Sequence, residues 1–374
     1  MLDDTVLEQR PGIWHWLFGS TLAFGIELLV RVTGRRVNPI DEPWLSCFLG
    51  DRGRIGTGIY QRIADTEHLE LLTPATAGLI PDFENLRGPG FDPAVVLPRI
   101  RHFYEHAAAY NLEVWSEVYL IGRFFLWLLV EFLSTHMDQL NFPLSSLDVA
   151  KGMSSEVVQL LDPATGKIRH TGWLRRLKSS GRVIYAGIYS ICQIPNEENP
   201  LVKVTFPCRG SANVYLRPVA HDDGTFGLDS SGSGWGRSGF YRIVKVGQKH
   251  WRVRNFTTLH ELFHVYVDDE NVLRCDHKIS FIGLTILRLH YKMTEKSALE
   301  NSELQQRRFS TSTQKAFHNS VDFTERSIEC ARIFASGFGQ VRPAAAFAAD
   351  SLRDRRDDFA CLNALGEIFG DAHN

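Results

Sequence analysis

Between residues 152 and 293 the chain alternates hydrophobic and polar positions in short runs rich in Val, Ile, Tyr and Phe. Turn signals interrupt these runs at about the 8–12-residue spacing of an all-β sandwich or barrel. The pattern predicts SEVVQLL, the turn DPATG and KIRHTGWL as a first hairpin, then RVIYAGIYSICQ and PLVKVTFP. NVYLRPVA, the turn HDDG and TFGLDSSG come next, followed by FYRIVKV, the turn GQKH and WRVRNF. LHELFHVYV, the turn DDEN, VLRCDHKISF and LTILRLHYKM complete the series. With no βαβ alternation, roughly ten antiparallel strands with short connections are expected. Closing them into a lipocalin-like (calycin-like) β-barrel would remove the edge strands and leave an interior for one small apolar ligand.

N-terminal to these runs the period is that of helices. IWHWLFGSTLAFGIELLVRV, residues 13 to 32, is nearly long enough to span a bilayer, but His15, Ser20 and Glu27 interrupt it and Pro11-Gly12 precedes it. YLIGRFFLWLLVEFL, residues 119 to 133, carries Arg123 and Glu131. Both read as packed helices, with a place in a membrane interface as the other reading. Leu97, Ile100, Phe103, Tyr104 and Ala107 recur at helical spacing and predict a helix from Leu97 to Tyr110. The expected class is α+β. A helical N-terminal region (1–150) packs on a barrel (151–293), followed by a polar linker (294–320) and a helical C-terminal extension (321–374).

Composition narrows the partners. Of 374 residues, 44% are hydrophobic and 22% charged, as in a globular chain, and 41 Lys+Arg against 43 Asp+Glu leave a net charge of −2. No global field would attract nucleic acid, which is not expected as a partner. Cys47, Cys192, Cys208, Cys275, Cys330 and Cys361 form no CxxC pair, so reduced thiols are expected. MLDDTVLEQRPG lacks the basic region and cleavage site of a secretory signal, and a cytoplasmic location is expected.

Two patterns carry candidate chemistry. His260-Glu261-Leu262-Phe263-His264 matches HExxH, which on a helix places two histidines on a zinc ion with glutamate as base. Val265, Tyr266 and Val267 favour a strand, on which the two imidazoles would stand about 13 Å apart. Pairing Val267 with Val272 across DDEN then sets His264 opposite Cys275, Leu262 opposite His277 and His260 opposite Ile279. His260, His264, Tyr266 and His277 would face the interior and act on a ligand, while Glu261 would meet Lys278 in solvent. The second pattern, His102-Phe103-Tyr104-Glu105-His106, has the HxxEH order of inverted zincins, with His102, Glu105 and His106 on one helical face as an alternative metal set. Tyr104, Trp115, Tyr185 and Tyr189 are expected to line the ligand site. In the glycine-rich SSGSGWGRSGF, Trp235 and Arg237 would close over its mouth.

The segments FYEHAAAY, VWSEV, GMSSEVVQLLDPATG and LRLHYKM, within residues 103 to 293, resemble a group of uncharacterised bacterial proteins. The resemblance implies a bacterial cytoplasmic protein and transfers no activity. The preferred expectation is therefore a cofactor-independent protein that binds a hydrophobic small molecule, with a cyclase or isomerase as its enzymatic form. A zinc hydrolase and a membrane-surface interaction protein are the alternatives.

Overall fold

The computed structural model describes residues 13–49, 58–119, 152–178, 181, 183–208, 210–247 and 250–297. All of these belong to the unit Met1–Asn301. Its helices are α1 (Ile13–Thr33), α2 (Ile59–Glu67) and α3 (Pro98–Glu105). Three strands come from the N-terminal part: β1 (Arg35–Val37), β2 (Glu70–Leu72) and β3 (Tyr110–Val118). Then follow β4 (Met153–Leu161), β5 (Ile168–Leu177), β6 (Val183–Cys192), β7 (Leu201–Cys208), β8 (Gly210–Ala220) and β9 (Phe226–Asp229). The last are β10 (Gly239–Lys245), β11 (Trp251–Phe256), β12 (Leu259–Val267), β13 (Leu273–Phe281) and β14 (Leu284–Glu295).

β4 to β14 fall on the runs that alternate in the sequence, and every pairing is antiparallel. The expected barrel does not form, because the sheet is open. Its main path runs β2-β4-β5-β6-β7-β8-β9-β12-β13-β14-β3 and ends at β2 and β3 without closing. The eleven-residue β8 forks it, since Ser211–Tyr215 pair with β10 while Arg217–Ala220 pair with β9. One branch therefore leaves through β10, β11 and β1, and the other continues to β3. Barrel closure needs the two ends of the path to pair, and among the described residues neither β2 nor β4 is hydrogen-bonded to β3.

The N-terminal part is not a helical layer either. It supplies β1, β2 and β3 to the sheet, and the helix expected over 97–110 ends at Glu105. From Tyr110 the period becomes two, with Tyr110, Leu112 and Val114 buried and Glu113 exposed, and this strand pairs along its whole length with β14. The helix expected from 119 to 133, most of the linker and the C-terminal extension lie outside the described residues.

Two cores result. The larger fills the concavity of the curved sheet and is capped by α3 and the segment before it, through Leu79, Phe83, Phe103 and Tyr104. The smaller gathers Trp44, Tyr215, Tyr241, Trp251 and Val253 under the β10–β11–β1 branch. β5 is buried on both faces. On its outer side Tyr60 of α2 presses on Gly172, where a Cβ would sit 2.2 Å from the ring, and donates to the carbonyls of Trp173 and Gly187 at 2.9 and 3.0 Å.

Candidate functional site

The β12–β13 hairpin decides which side chains meet a ligand. The Asp268 N–H donates to the Val272 carbonyl, the Asn271 N–H donates back to the Asp268 carbonyl, and Asn271 takes the left-handed conformation at φ 57°. This is a three-residue loop, a turn closed by one left-handed residue. Val267 therefore pairs with Leu273 rather than Val272, and every partner moves by one. Phe263 faces His277, Val265 faces Cys275 and Glu261 faces Ile279, whereas His264 faces Asp276 and His260 faces Ser280. Because side chains alternate with period two, a slip of one residue exchanges the two faces of a strand.

A cavity of about 70 Å³ lies in the concavity. That is several times the ~10–15 Å³ needed by one water molecule. Its wall is largely apolar and aromatic, with Phe103 and Tyr104 from α3, Leu112 from β3, Trp173 from β5, Tyr185 and Tyr189 from β6, Phe263 and Val265 from β12, and Tyr291 and Met293 from β14. Four polar or ionisable groups interrupt it: Arg175, Glu261, Cys275 and His277.

Arg175 is 6% exposed. Its guanidinium carbon lies 4.3 Å from the ring centroids of both Trp173 and Tyr185 and 5.4 Å from that of Tyr291. No carboxylate of the described residues is within ion-pair distance of it, and its buried Nε has no hydrogen-bond partner. The aromatic faces recover part of the cost of burying the charge, about 2 kcal/mol for a desolvated contact. The guanidinium donates one hydrogen bond to the Tyr291 hydroxyl, its Nε–H stays open, and it cannot shed its proton. Gly187 makes the cage possible. A Cβ there would lie 2.7 Å from the Tyr185 hydroxyl, which instead folds across the glycine and donates to Tyr189 at 2.8 Å.

Glu261 of β12 and His277 of β13 lie Oε2 to Nε2 at 3.4 Å, an ion-pair distance without hydrogen-bond geometry at either imidazole nitrogen. The His277 ring stacks on Phe263 with 3.8 Å between centroids. Burial pushes the Cys275 thiol up to about 12, so it stays protonated and is no nucleophile at neutral pH. Burial also raises Tyr185, Tyr189 and Tyr291, which remain neutral phenols.

Of the residues expected from sequence, His277, Tyr104, Tyr185 and Tyr189 do line the cavity. His260, His264 and Tyr266 do not, because the hairpin register turns them to the other face. There the His260 ring is near the Ser230 carbonyl, His264 Nε2 is 3.1 Å from Thr225 Oγ1, and His264 stacks on Tyr266. Glu261, expected in solvent opposite Lys278, is the strand residue that enters the cavity. Trp115 stands on the outer face, 46% exposed, with the His290 ring 6.1 Å away. Trp235 packs on Trp44 and Tyr241 in the smaller core, and the exposed Arg237 gives its backbone N–H to the Tyr241 hydroxyl, so neither covers the cavity. Arg175 escaped the sequence reading. The only available signal was an arginine on the apolar side of a run, at the alternation of Trp173 and Leu177.

Neither metal pattern is assembled. HExxH lies on strand β12 rather than a helix. In HxxEH, His102 and His106 stack at 4.3 Å, His102 Nδ1 lies 2.9 Å from the Tyr110 hydroxyl, and Glu105 accepts the Phe83 N–H at 3.0 Å, so the three side chains serve different partners. Among the described residues no three His, Cys, Asp or Glu side chains converge as a metal site would require.

No family model matches the chain, and no solved structure matches it. Over 289 residues it is 24% identical to the protein named "Uncharacterized membrane protein YndJ" of Bacillus subtilis (strain 168), covering 75% of this chain and 49% of that protein. The chain thus spans about half the length of the curated relative it matches. A relative named as a membrane protein overturns the expectation of a cytoplasmic location. Among the described residues no helix is long and apolar enough to cross a membrane.

Proposed function

We propose that the protein binds a small, mainly apolar molecule bearing one anionic group, with Arg175 as its counter-charge. The observation that carries this reading is the buried guanidinium, stacked between aromatic rings and lacking a carboxylate partner among the described residues, on the wall of an apolar cavity. An uncompensated buried charge costs several kcal/mol, and a ligand carboxylate accepting two parallel N–H bonds would recover much of it. The aromatic wall would take the apolar part, at about 25 cal/mol per Å² removed from water. Glu261, also in the cavity lining, repels a second anion and favours a ligand with a single negative charge. A ligand of this kind partitions into lipid, which accords with the name of the curated relative.

The test is a titration of the full chain with short-chain fatty carboxylates and with alcohols of the same length, followed by the fluorescence of Trp173 in the cage. Carboxylates should bind at least about tenfold more tightly than the alcohols, as expected for a charged hydrogen bond. Arg175→Met should remove that difference while keeping the fold. Equal affinity for both series, or the same preference in Arg175→Met, refutes the assignment.

A further inference from the structure

Among its described side chains, helix α1 is apolar on the side turned away from β10 and β11. Its inner side rests on β10 and β11, burying Val30 and Glu27, whose carboxylate is held by Arg31 at 2.7 Å. Opposite, Phe24, Leu28 and Val32, spaced by one helical turn, are 53%, 48% and 71% exposed, and Val246 in the β10–β11 turn is exposed as well. A helix on a water-facing surface carries polar residues at such positions. Contiguous exposed apolar side chains mark a surface made for a partner.

The adjoining surface is basic. Arg36 and Arg252 are directly opposite each other on β1 and β11, and like charges in that position destabilise a strand pair. Neither has a carboxylate within ion-pair distance among the described residues. Arg31 donates to the carbonyl of the exposed Lys245, which ties this group to the end of α1. The acidic residues that follow β1 in the chain have other partners, Asp41 bonded by Asn38 and Glu42 by Trp44. An apolar stripe beside uncompensated arginines matches the boundary between acyl chains and anionic headgroups.

We propose that this face of α1 docks on an anionic phospholipid bilayer, the helix lying in the interface with Arg36 and Lys245 toward the phosphates and Arg252 donating to the Gly34 carbonyl at the helix end at 3.0 Å. Glu27, which in the sequence argues against a bilayer span, is turned inward and does not oppose interfacial docking. The proposal does not depend on the ligand assigned to the cavity.

The test measures sedimentation of the full chain with phosphatidylcholine vesicles, with and without phosphatidylglycerol, for the wild type and two double variants. The wild type should partition at least about tenfold better onto the anionic vesicles. Phe24→Ser/Val32→Ser and Arg36→Gln/Lys245→Gln should each lose about tenfold or more while melting at the wild-type temperature. Equal partitioning onto both vesicle types, or unchanged partitioning of the variants, overturns it. A wild-type dimer that Phe24→Ser/Val32→Ser dissociates, with no vesicle binding, assigns the face to a second copy. A sharply lowered melting temperature in that variant shows the face is covered within the chain, and overturns it as well.

Discussion

Phe263 and His277 lie ring on ring across the β12–β13 ladder, 3.8 Å between centroids and 14° from parallel. The stack can exist only in the register that sends Glu261, Phe263 and Val265 inward and His260, His264 and Tyr266 outward. His277 therefore differs in kind from His264. His277→Ala should enlarge the cavity, shift the preferred carboxylate to a longer chain and cost about 2 kcal/mol as a cavity-forming change. His264→Ala should leave chain-length preference unchanged and cost no more than about 1 kcal/mol. Titration and denaturant unfolding of both variants check this; a shifted preference in His264→Ala would place its ring inside.

The register depends on Asn271, the residue at φ 57° that completes the loop. Asn271→Gly should be nearly neutral, within about 0.5 kcal/mol, even though Arg99 loses its 2.9 Å bond to the Asn271 side chain. A β-branched residue resists this conformation, so Asn271→Val should cost about 1–2 kcal/mol. Urea midpoints of the two variants provide the comparison, and equal midpoints would count against a strained loop.

Asp268 links this loop to pH. The Val272 backbone N–H, and then Arg274 at 2.6 Å, hold its carboxyl below the ordinary 3.8. A carboxyl with a depressed folded-state value stabilises the fold above its unfolded value and loses that contribution as pH falls through the folded one. Asp268→Asn should therefore be less stable than wild type at neutral pH. The gap should stay constant down to about pH 4 and close below it. Denaturation midpoints measured across that range read the gap directly, and a gap that widened on acidification would contradict the assignment.

Gly187→Ala tests the aromatic cage from behind. The new Cβ would meet the Tyr185 hydroxyl at 2.7 Å and its ring at 2.9 Å, displacing the ring that stacks on Arg175. Overpacking of this kind costs about 1–3 kcal/mol. Carboxylate affinity should fall with stability, whereas affinity for the matching alcohol should fall less. Thermal unfolding and the same titration measure both, and an unperturbed carboxylate affinity would show that Tyr185 does not hold the guanidinium.

What the sequence determined by itself was local. Alternation of apolar and polar positions placed β4 to β14, because a strand with one buried face writes period two into the chain. The apolar stripe Ile100, Phe103, Tyr104 marked α3 for the corresponding reason at period 3.6. What only the tertiary structure decided were relations between distant residues. One left-handed asparagine in a loop sets a register and so exchanges His264 for Phe263 inside the cavity. The two ends of the path, β2 and β3, do not pair, which leaves open a sheet that strand count alone would close. Arg175 shows locally only as an arginine on the apolar side of a run, which says nothing of its partners. Its role arises from Trp173, Tyr185 and Tyr291 on three strands, which the fold brings around one charge and leaves without an anion.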